Sequence, residues 1–257
     1  MISVLVCRGV GEALPSPMLS NVTKLIDTKR FVIKEVPWEA NYSPVPNPIG
    51  SSFHRALRDG RTLLLKMIAD DPNPVILLSY SGGAALAGNV AAEIARGEHP
   101  GLDIRGVALI SDPLRPMSRG TITGWERAYG IAGSREIGPA FPRWWIADQQ
   151  DVITYCPDRS PLRTIAAQSV AFSLVDPIAW GWDLIDKLRH PWKWPGSAID
   201  WSDPLGTIAR FKAARIGAEG YLLRGSHTNY HTRIYRDGRT YCEWLADRIN
   251  EIRETAA

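Results

Sequence analysis

Ser81 is the residue best placed to do covalent chemistry in this sequence of 257 residues. An apolar run ends at Ser79-Tyr80, and Ser81 is followed by two glycines and a segment rich in alanine and glycine. This order predicts a strand, a sharp turn and a helix, the arrangement known as a nucleophile elbow. The same residues also fit a plain turn in which Ser81 caps the helix. The rest of the chain decides between these two interpretations.

A base for the serine proton and donors for an oxyanion are predicted elsewhere in the chain. His227 is the first histidine after a strand predicted at 221–224 and is the preferred base, with His231 as the alternative. One oxyanion donor is predicted to be the N–H of Gly82, because it follows the serine and begins a helix. The second donor is predicted in the loop 8–12, where two glycines let the backbone turn towards the site.

A carboxylate must orient the base. Asp158 follows a strand predicted over residues 151–156 and is the preferred acid. Asp112 is the main alternative because it also ends a predicted strand, although an aspartate before a proline is typical of a turn. Asp151 and Asp176 are weaker candidates.

The elements that must position these residues alternate along the chain. Strands are predicted at 2–8, 30–36, 74–79, 103–111, 151–156 and 221–224, and helices at 51–70, 82–96, 159–172 and 239–252. This alternation predicts an α/β fold with a doubly wound, mostly parallel sheet. The serine, the acid and the histidine would all lie at the carboxyl edge of that sheet, where such folds bind their ligands.

Composition excludes several classes of function. A formal net charge of +3 without a dense Lys/Arg patch argues against a nucleic-acid partner. We expect no transmembrane segment, because no apolar run is long enough to span a bilayer, and no signal peptide is apparent. The three cysteines are too sparse for a disulfide framework and fit buried thiols in a reducing compartment. The histidines lack metal-ligand spacing, so we expect no metal and no cofactor.

Four short motifs resemble those of the cutinases, which are serine esterases of the α/β-hydrolase superfamily. The segment Cys7–Glu12 resembles their Ala-Arg-Gly-Thr/Ser-x-Glu, and Ser79–Gly83 resembles their Gly-Tyr-Ser-Gln-Gly elbow. The segment Tyr155–Asp158 resembles their Tyr-Cys-x-x-x-Asp with a shorter spacing, and His227–Tyr230 resembles their His-x-x-Tyr. The resemblance extends over nearly the whole chain and implies a cutinase-like α/β-hydrolase fold.

Further segments resemble the lysin B branch, the cutinase-related esterases of phages that infect mycobacteria. These are Ser111–Arg115, the long insertion before the histidine and the Thr240–Glu243 start of the closing helix. The resemblance implies hydrolysis of the ester that joins mycolic acids to arabinogalactan, by a protein made in the host cytoplasm that acts at the cell envelope after release. The competing functions are a general cutinase or lipase for short-to-medium acyl esters, and a catalytically silent envelope-binding module.

The resemblance also implies roles for individual residues. It makes Ser81 the nucleophile, Asp158 the acid and His227 the base, with the backbone N–H groups of Val10 and Gly82 as the oxyanion hole. Two of these positions depart from the cutinase pattern, because Val10 replaces a hydroxyl residue and Gly82 replaces glutamine. The elbow also has Ser79 where glycine is usual.

A segment rich in tryptophan and proline, residues 176–219, interrupts the alternation of strands and helices. Five tryptophans fall within it: Trp180, Trp182, Trp192, Trp194 and Trp201. We expect a lid-like insertion of short helices and loop before the last strand, within a single domain that spans residues 1–257. Most of its tryptophans are predicted to fasten the insertion to the sheet, and the alternative is a groove wall for a long acyl chain.

Overall fold

The computed structural model describes residues 1–40, 53–117, 127–168 and 199–253. Its strands are β1 Ile2–Cys7, β2 Phe31–Glu35, β3 Val75–Tyr80, β4 Ile104–Ile110, β5 Ala128–Tyr129, β6 Arg143–Ile146, β7 Cys156–Pro157, β8 Ile234–Arg236 and β9 Arg239–Thr240. Its α-helices are α1 Pro17–Thr23, α2 Phe53–Ala69, α3 Gly82–Ala95, α4 Pro161–Gln168, α5 Pro204–Leu223 and α6 Tyr241–Asn250.

A parallel sheet of five strands, in the order β2-β1-β3-β4-β6, forms the centre of the fold. All residues of β1 and β3 are buried, as expected for apolar strands covered on both faces. Helices α2 and α3 pack against one face, and α1 and α6 pack against the other. The predicted α/β fold with a doubly wound parallel sheet is therefore confirmed.

Two predicted strands are wrong, and one strand of the sheet was not predicted. The predicted strand 151–156 consists mostly of turns, and only the two-residue β7 pairs there, with β5. The predicted last strand 221–224 is the end of α5, because a short apolar run without a clear period fits a buried helix turn equally well. The last strand of the sheet is instead β6, whose Arg-Trp-Trp-Ile sequence is partly exposed and lacks a clean alternation.

In the described part of the chain, all five strands of this sheet come before the tryptophan-rich segment, which was predicted to precede the last strand. Residues 204–219 belong to α5, a single helix of 20 residues, and not to several short helices. Trp201 lies just before α5 with 79% of its surface exposed, so it does not fasten the segment to the sheet. The other four tryptophans of the segment and Asp176 lie outside the described residues.

The structure also bears on the predictions about the three cysteines and about membrane-spanning segments. Cys7, Cys156 and Cys242 are buried free thiols, as predicted. Burial raises the pKa of Cys242 to about 12, so this thiol stays protonated at neutral pH. Within the described ranges, no helix has the length and apolar character that crossing a membrane requires.

Candidate active site

Ser81 stands at a strained turn between β3 and α3. Its φ of 53° and ψ of −119° lie in a region that residues other than glycine rarely adopt. Its N–H donates to the carbonyl of Ile110 at 2.9 Å, which ties the turn to the end of β4. Its side chain makes no hydrogen bond to the start of α3, so Ser81 is not a side-chain cap of this helix. The turn has the geometry of a nucleophile elbow.

The elbow lies directly against the loop that follows β1. A Cβ atom on Gly83 would lie 2.1 Å from the carbonyl oxygen of Cys7, and a Cβ atom on Gly82 would lie 2.7 Å from a methyl group of Val10. Neither position has room for a side chain with its neighbours as they are. This close approach packs the Val10 side chain against Gly82, the residue that follows Ser81.

Glu12 fixes the shape of this loop. Its carboxylate accepts hydrogen bonds from the N–H of Gly9 and the hydroxyl of Ser16, both at 2.7 Å, and from the N–H of Met18 at 3.0 Å. Three donors thus hold one side chain, which ties the loop that carries Val10 to the start of α1. The N–H of Gly82 begins α3 and has no acceptor within the helix, which leaves it available to an oxyanion.

His227 lies within hydrogen-bond distance of the serine. Its Nε2 is 3.0 Å from the Ser81 Oγ, and only 7% of the residue is exposed. The hydroxyl of Tyr80 donates to the His227 carbonyl at 2.9 Å, and the rings of Tyr80 and Tyr221 each lie 5.1 Å from the imidazole. Burial raises the pKa of both tyrosines, so the two phenols packed around the imidazole remain uncharged.

Asp151 is the carboxylate that contacts the histidine. Its two oxygens lie 3.0 and 3.2 Å from the Nδ1 of His227, and its side chain is completely buried. The same carboxylate accepts from the hydroxyl of Tyr230 at 2.7 Å, from the N–H of Ile153 at 3.1 Å and from the hydroxyl of Ser111. These donors hold the carboxylate in a fixed orientation towards the imidazole.

The preferred acid of the sequence, Asp158, does not occupy this position. Its carboxylate is exposed and accepts a hydrogen bond from the hydroxyl of Tyr129 at 3.1 Å. Both ring nitrogens of His227 have other partners, namely Ser81 at one end and Asp151 at the other. The physical reason is that residues 152–155 turn, so the carboxylate at the start of this segment reaches the site instead of the one after its end.

Asp112 and His231 have structural roles away from the serine. Asp112 is buried and accepts from the guanidinium of Arg135 and the indole N–H of Trp145, the latter at 3.1 Å. Burial raises the pKa of Asp112, and the charge of Arg135 opposes that rise. His231 is exposed, and its Nδ1 lies 3.1 Å from the carbonyl of Thr228 in the 3-10 turn that follows His227.

The sequence signal for Asp151 depends on recognising β6 as a strand. Asp151 lies five residues after the end of β6, so identifying Arg143–Ile146 as a strand would have placed the following loop at the carboxyl edge of the sheet. Tyr230 was part of the His-x-x-Tyr resemblance, but its contact with the acid follows only from the fold. Ser111 likewise begins a segment that resembles lysin B, but its contacts with the acid and the base follow only from the fold.

Together these contacts form a chain of hydrogen bonds from Asp151 through His227 to Ser81. In the neutral imidazole with its proton on Nδ1, that N–H donates to the carboxylate of Asp151 and Nε2 is the acceptor for the serine hydroxyl. Such a chain can remove a proton from an attacking hydroxyl and return it to a leaving group. Among the described residues, no group of three or more His, Cys, Asp or Glu side chains is arranged to hold a metal ion.

No family model matches the chain, and no curated protein sequence matches it. Among solved structures, lysin B from mycobacteriophage D29 is similar at 14% identity and a TM-score of 0.44, over 97% of this chain and 98% of that one. An acetyl xylan esterase is similar at 11% identity and a TM-score of 0.43, over 67% and 94% of the two chains.

A cutinase-like protein from Cryptococcus sp. is similar at 18% identity and a TM-score of 0.32. That match covers 46% of this chain and 56% of the other, so the chain spans little more than half the length of that protein. The function of the chain is therefore derived from the geometry of its own site.

Proposed function

We propose that the protein is a serine esterase that forms an acyl-enzyme on Ser81. The observation that carries the proposal is the hydrogen-bonded series Ser81, His227 and Asp151, with the serine on a strained turn at the carboxyl edge of a parallel sheet. A strained backbone at a non-glycine residue persists only where its surroundings hold it, and such residues cluster at active sites.

The reaction begins when the Ser81 Oγ attacks the ester carbonyl carbon and its proton passes to the Nε2 of His227. Negative charge develops on the carbonyl oxygen, and the N–H groups of Val10 and Gly82 stabilise it. The bond to the alcohol oxygen then breaks, and the alcohol leaves with the proton from Nε2. Water, deprotonated by the same nitrogen, attacks the acyl group and releases the carboxylic acid and free Ser81.

Covalent labelling tests this proposal most directly. A fluorophosphonate probe should label the native protein, and peptide mapping should find the adduct on Ser81. The Ser81→Ala variant should neither be labelled nor hydrolyse a p-nitrophenyl ester. Ser79→Ala is the matched control, because Ser79 lies two residues away and its hydroxyl donates to the Ala108 carbonyl at 3.1 Å without contacting His227. A native protein that is folded but remains unlabelled would be a silent binding module.

For the substrate, we propose the ester between mycolic acids and arabinogalactan in the mycobacterial envelope. Support comes from the sequence motifs that resemble lysin B, among them Ser111–Arg115 and Thr240–Glu243. The proposal includes synthesis in the host cytoplasm and action at the envelope after release. The exposed tryptophan just before α5, Trp201, offers apolar surface outside the core.

Isolated mycolyl-arabinogalactan separates this substrate from shorter esters. We expect the native protein to release mycolic acids from it and the Ser81→Ala variant to release none. Hydrolysis of p-nitrophenyl butyrate without release of mycolic acids would favour the general cutinase or lipase. Both assays use the same enzyme sample, so an inactive preparation is recognised by the short ester.

A further inference from the structure

Two neighbouring strands of the sheet are each followed directly by a serine with an unusual backbone conformation. Ser81 follows β3 with a φ of 53°, and Ser111 follows β4 with a φ of 51°. Among the described residues, only Asp237 otherwise combines a side chain with a positive φ. Glycine would adopt this conformation without strain. A serine at such a position therefore indicates a role for its side chain. For Ser81 that role is the proposed nucleophilic attack.

The hydroxyl of Ser111 lies between the acid and the base. It donates a hydrogen bond to the Oδ2 of Asp151, and its oxygen is 2.9 Å from the Nδ1 of His227. The residue is completely buried, so water does not compete for these contacts. Its N–H donates to the carbonyl of Ile146 at 2.9 Å, which anchors the end of β4 to β6.

Hydrogen-bond donors and acceptors allow one consistent arrangement of protons here. The carboxylate of Asp151 only accepts, so the single proton of the Ser111 hydroxyl points to it. A lone pair of the Ser111 oxygen then faces Nδ1 of His227, and this requires a proton on that nitrogen. In the neutral imidazole, Nε2 then carries no proton and faces the hydroxyl of Ser81.

Tyr230 contributes a second hydroxyl to this arrangement. Its hydroxyl donates to the same Oδ2 of Asp151 at 2.7 Å, so two hydroxyl groups and the imidazole hold one carboxylate oxygen. Burial and the charge of Asp151 raise the pKa of Tyr230, so this phenol remains a donor throughout the working range of pH. Ser111 differs from Tyr230 because it contacts both the acid and the base.

We infer that Ser111 is a positioning residue, whose hydroxyl orients Asp151 and holds His227 in the tautomer that can accept the Ser81 proton. The inference rests on the proposed esterase activity and adds a fourth side chain to it. Ser111 does not contact the reacting atoms and acts only through its two neighbours. The backbone strain at position 111 is tolerated because glycine could not supply the hydroxyl.

Two substitutions at Ser111 distinguish the effect of the hydroxyl from the effect of the backbone strain. Ser111→Gly removes the hydroxyl and relieves the positive φ, and Ser111→Ala removes the hydroxyl but keeps the strain. We expect both variants to lower kcat for a p-nitrophenyl ester by about 10- to 100-fold, the equivalent of one hydrogen bond to a charged group. KM should change little, because the hydroxyl faces the acid and the base and not the ester. Labelling by the fluorophosphonate should slow by a similar factor.

Ser3→Ala is the matched control for this loss. Ser3 is also buried and its hydroxyl also donates to a carboxylate, that of Asp71 at 2.9 Å, but it lies at the amino end of β1. This variant should keep its kcat within about twofold, because substitutions far from the site act nearly independently of it. A decrease equal to that of the Ser111 variants would show a general effect on folding and would overturn the inference.

The low-field proton resonance of the His227 Nδ1–H provides a readout that a purely structural role would not move. In the native protein this signal reports the hydrogen bonds at Nδ1, and it should shift or broaden in Ser111→Gly and stay unchanged in Ser3→Ala. Unchanged kcat and an unchanged resonance in Ser111→Gly would overturn the inference while the native protein still labels at Ser81. Failure of the native protein to label would instead remove the proposed esterase function.

Discussion

At the scale of residues, the contact with the Nδ1 of His227 determines which aspartate belongs to the candidate site. Asp151 and Asp158 lie in the same segment of the sequence, but only Asp151 has its oxygens at the Nδ1 of His227. Asp158 is exposed and contacts Tyr129. The same Asp→Asn substitution can therefore be made at the buried Asp151 and at the exposed Asp158, and the two effects on activity can be compared.

The variants Asp151→Asn and Asp158→Asn test this assignment. In Asp151→Asn the introduced amide would offer an N–H to Nδ1, which favours the tautomer with its proton on Nε2, facing Ser81. We therefore expect kcat for a p-nitrophenyl ester to fall by about 10³- to 10⁴-fold in Asp151→Asn. Asp158→Asn should retain kcat within about twofold. Equal activity of the two variants would contradict the role of Asp151, and a large loss in Asp158→Asn alone would restore the assignment made from the sequence.

At the scale of elements, the elbow packs so closely against the end of β1 that there is no room for a side chain at Gly83. The Cα of Gly83 faces the carbonyl oxygens of Cys7 and Arg8, which would lie 2.1 and 2.4 Å from an added Cβ. Backbone atoms of a central strand cannot move aside as a flexible side chain does. The start of α3 is therefore held against the end of β1, and this contact sets the distance between the serine and the oxyanion loop.

Gly83→Ala should separate these two elements. We expect a loss of about 2–4 kcal/mol in the free energy of unfolding, because the overlap is with the backbone and strain of this kind is among the larger effects of single substitutions. Labelling of Ser81 should slow as well, since the turn must shift. Gly138→Ala is the control, because an added Cβ there meets its nearest neighbour at 3.6 Å. Urea unfolding and the labelling rate measure both effects, and equal values for the two variants would contradict the close approach.

Elements with a strong local pattern could be predicted from the sequence. The apolar runs of β1, β3 and β4, and the elbow with its small residues, have the same place in the sequence and in the structure. The strand β6 could not be predicted, because its Arg-Trp-Trp-Ile sequence is partly exposed and follows an irregular loop. The end of α5 was mistaken for a strand, since four residues of Tyr-Leu-Leu-Arg carry no period of their own.

The acid of the site depends on contacts between distant parts of the chain. Asp151 and His227 are 76 residues apart, and the fold brings them together with Tyr230 and Ser111 around one carboxylate. Chain order alone gives the sequence serine, acid, histidine, which both Asp151 and Asp158 satisfy. Only the turn at residues 152–155 distinguishes them, and the local sequence there had favoured a strand.

For the molecule as a whole, one buried ion pair links several parts of the fold. Arg135 donates to the carboxylate of Asp112 at the end of β4, to the carbonyl of Ala85 at 3.3 Å and to the side chain of Asn89 at 3.2 Å, the last two in α3. Asp112 is completely buried, and its burial raises the pKa of the carboxyl group while Arg135 opposes the rise. The pair thus connects a long loop to the sheet and to the helix of the elbow.

Removing the guanidinium should destabilise the protein in a manner that depends on pH. In Arg135→Met the charged Asp112 is buried without its partner, which costs about 3–5 kcal/mol near neutral pH. Its pKa in the folded state rises further above the unfolded value, so the folded state binds more protons. Stability must therefore fall as the pH rises from the usual carboxyl range towards that raised pKa.

Urea unfolding at about pH 4.5 and about pH 7.5 measures this difference. We expect the destabilisation of Arg135→Met to be larger at the higher pH, because the carboxyl group of Asp112 is charged there and is partly neutral at the lower pH. Adding Asp112→Asn should remove most of the pH dependence, since no titratable group then remains at the buried position. Arg215→Met is the matched control: its exposed pair with Glu219 at 2.7 Å should contribute less than about 1 kcal/mol at either pH. A loss in Arg135→Met that is the same at both values of pH would mean that the pair acts through packing and not through its charge.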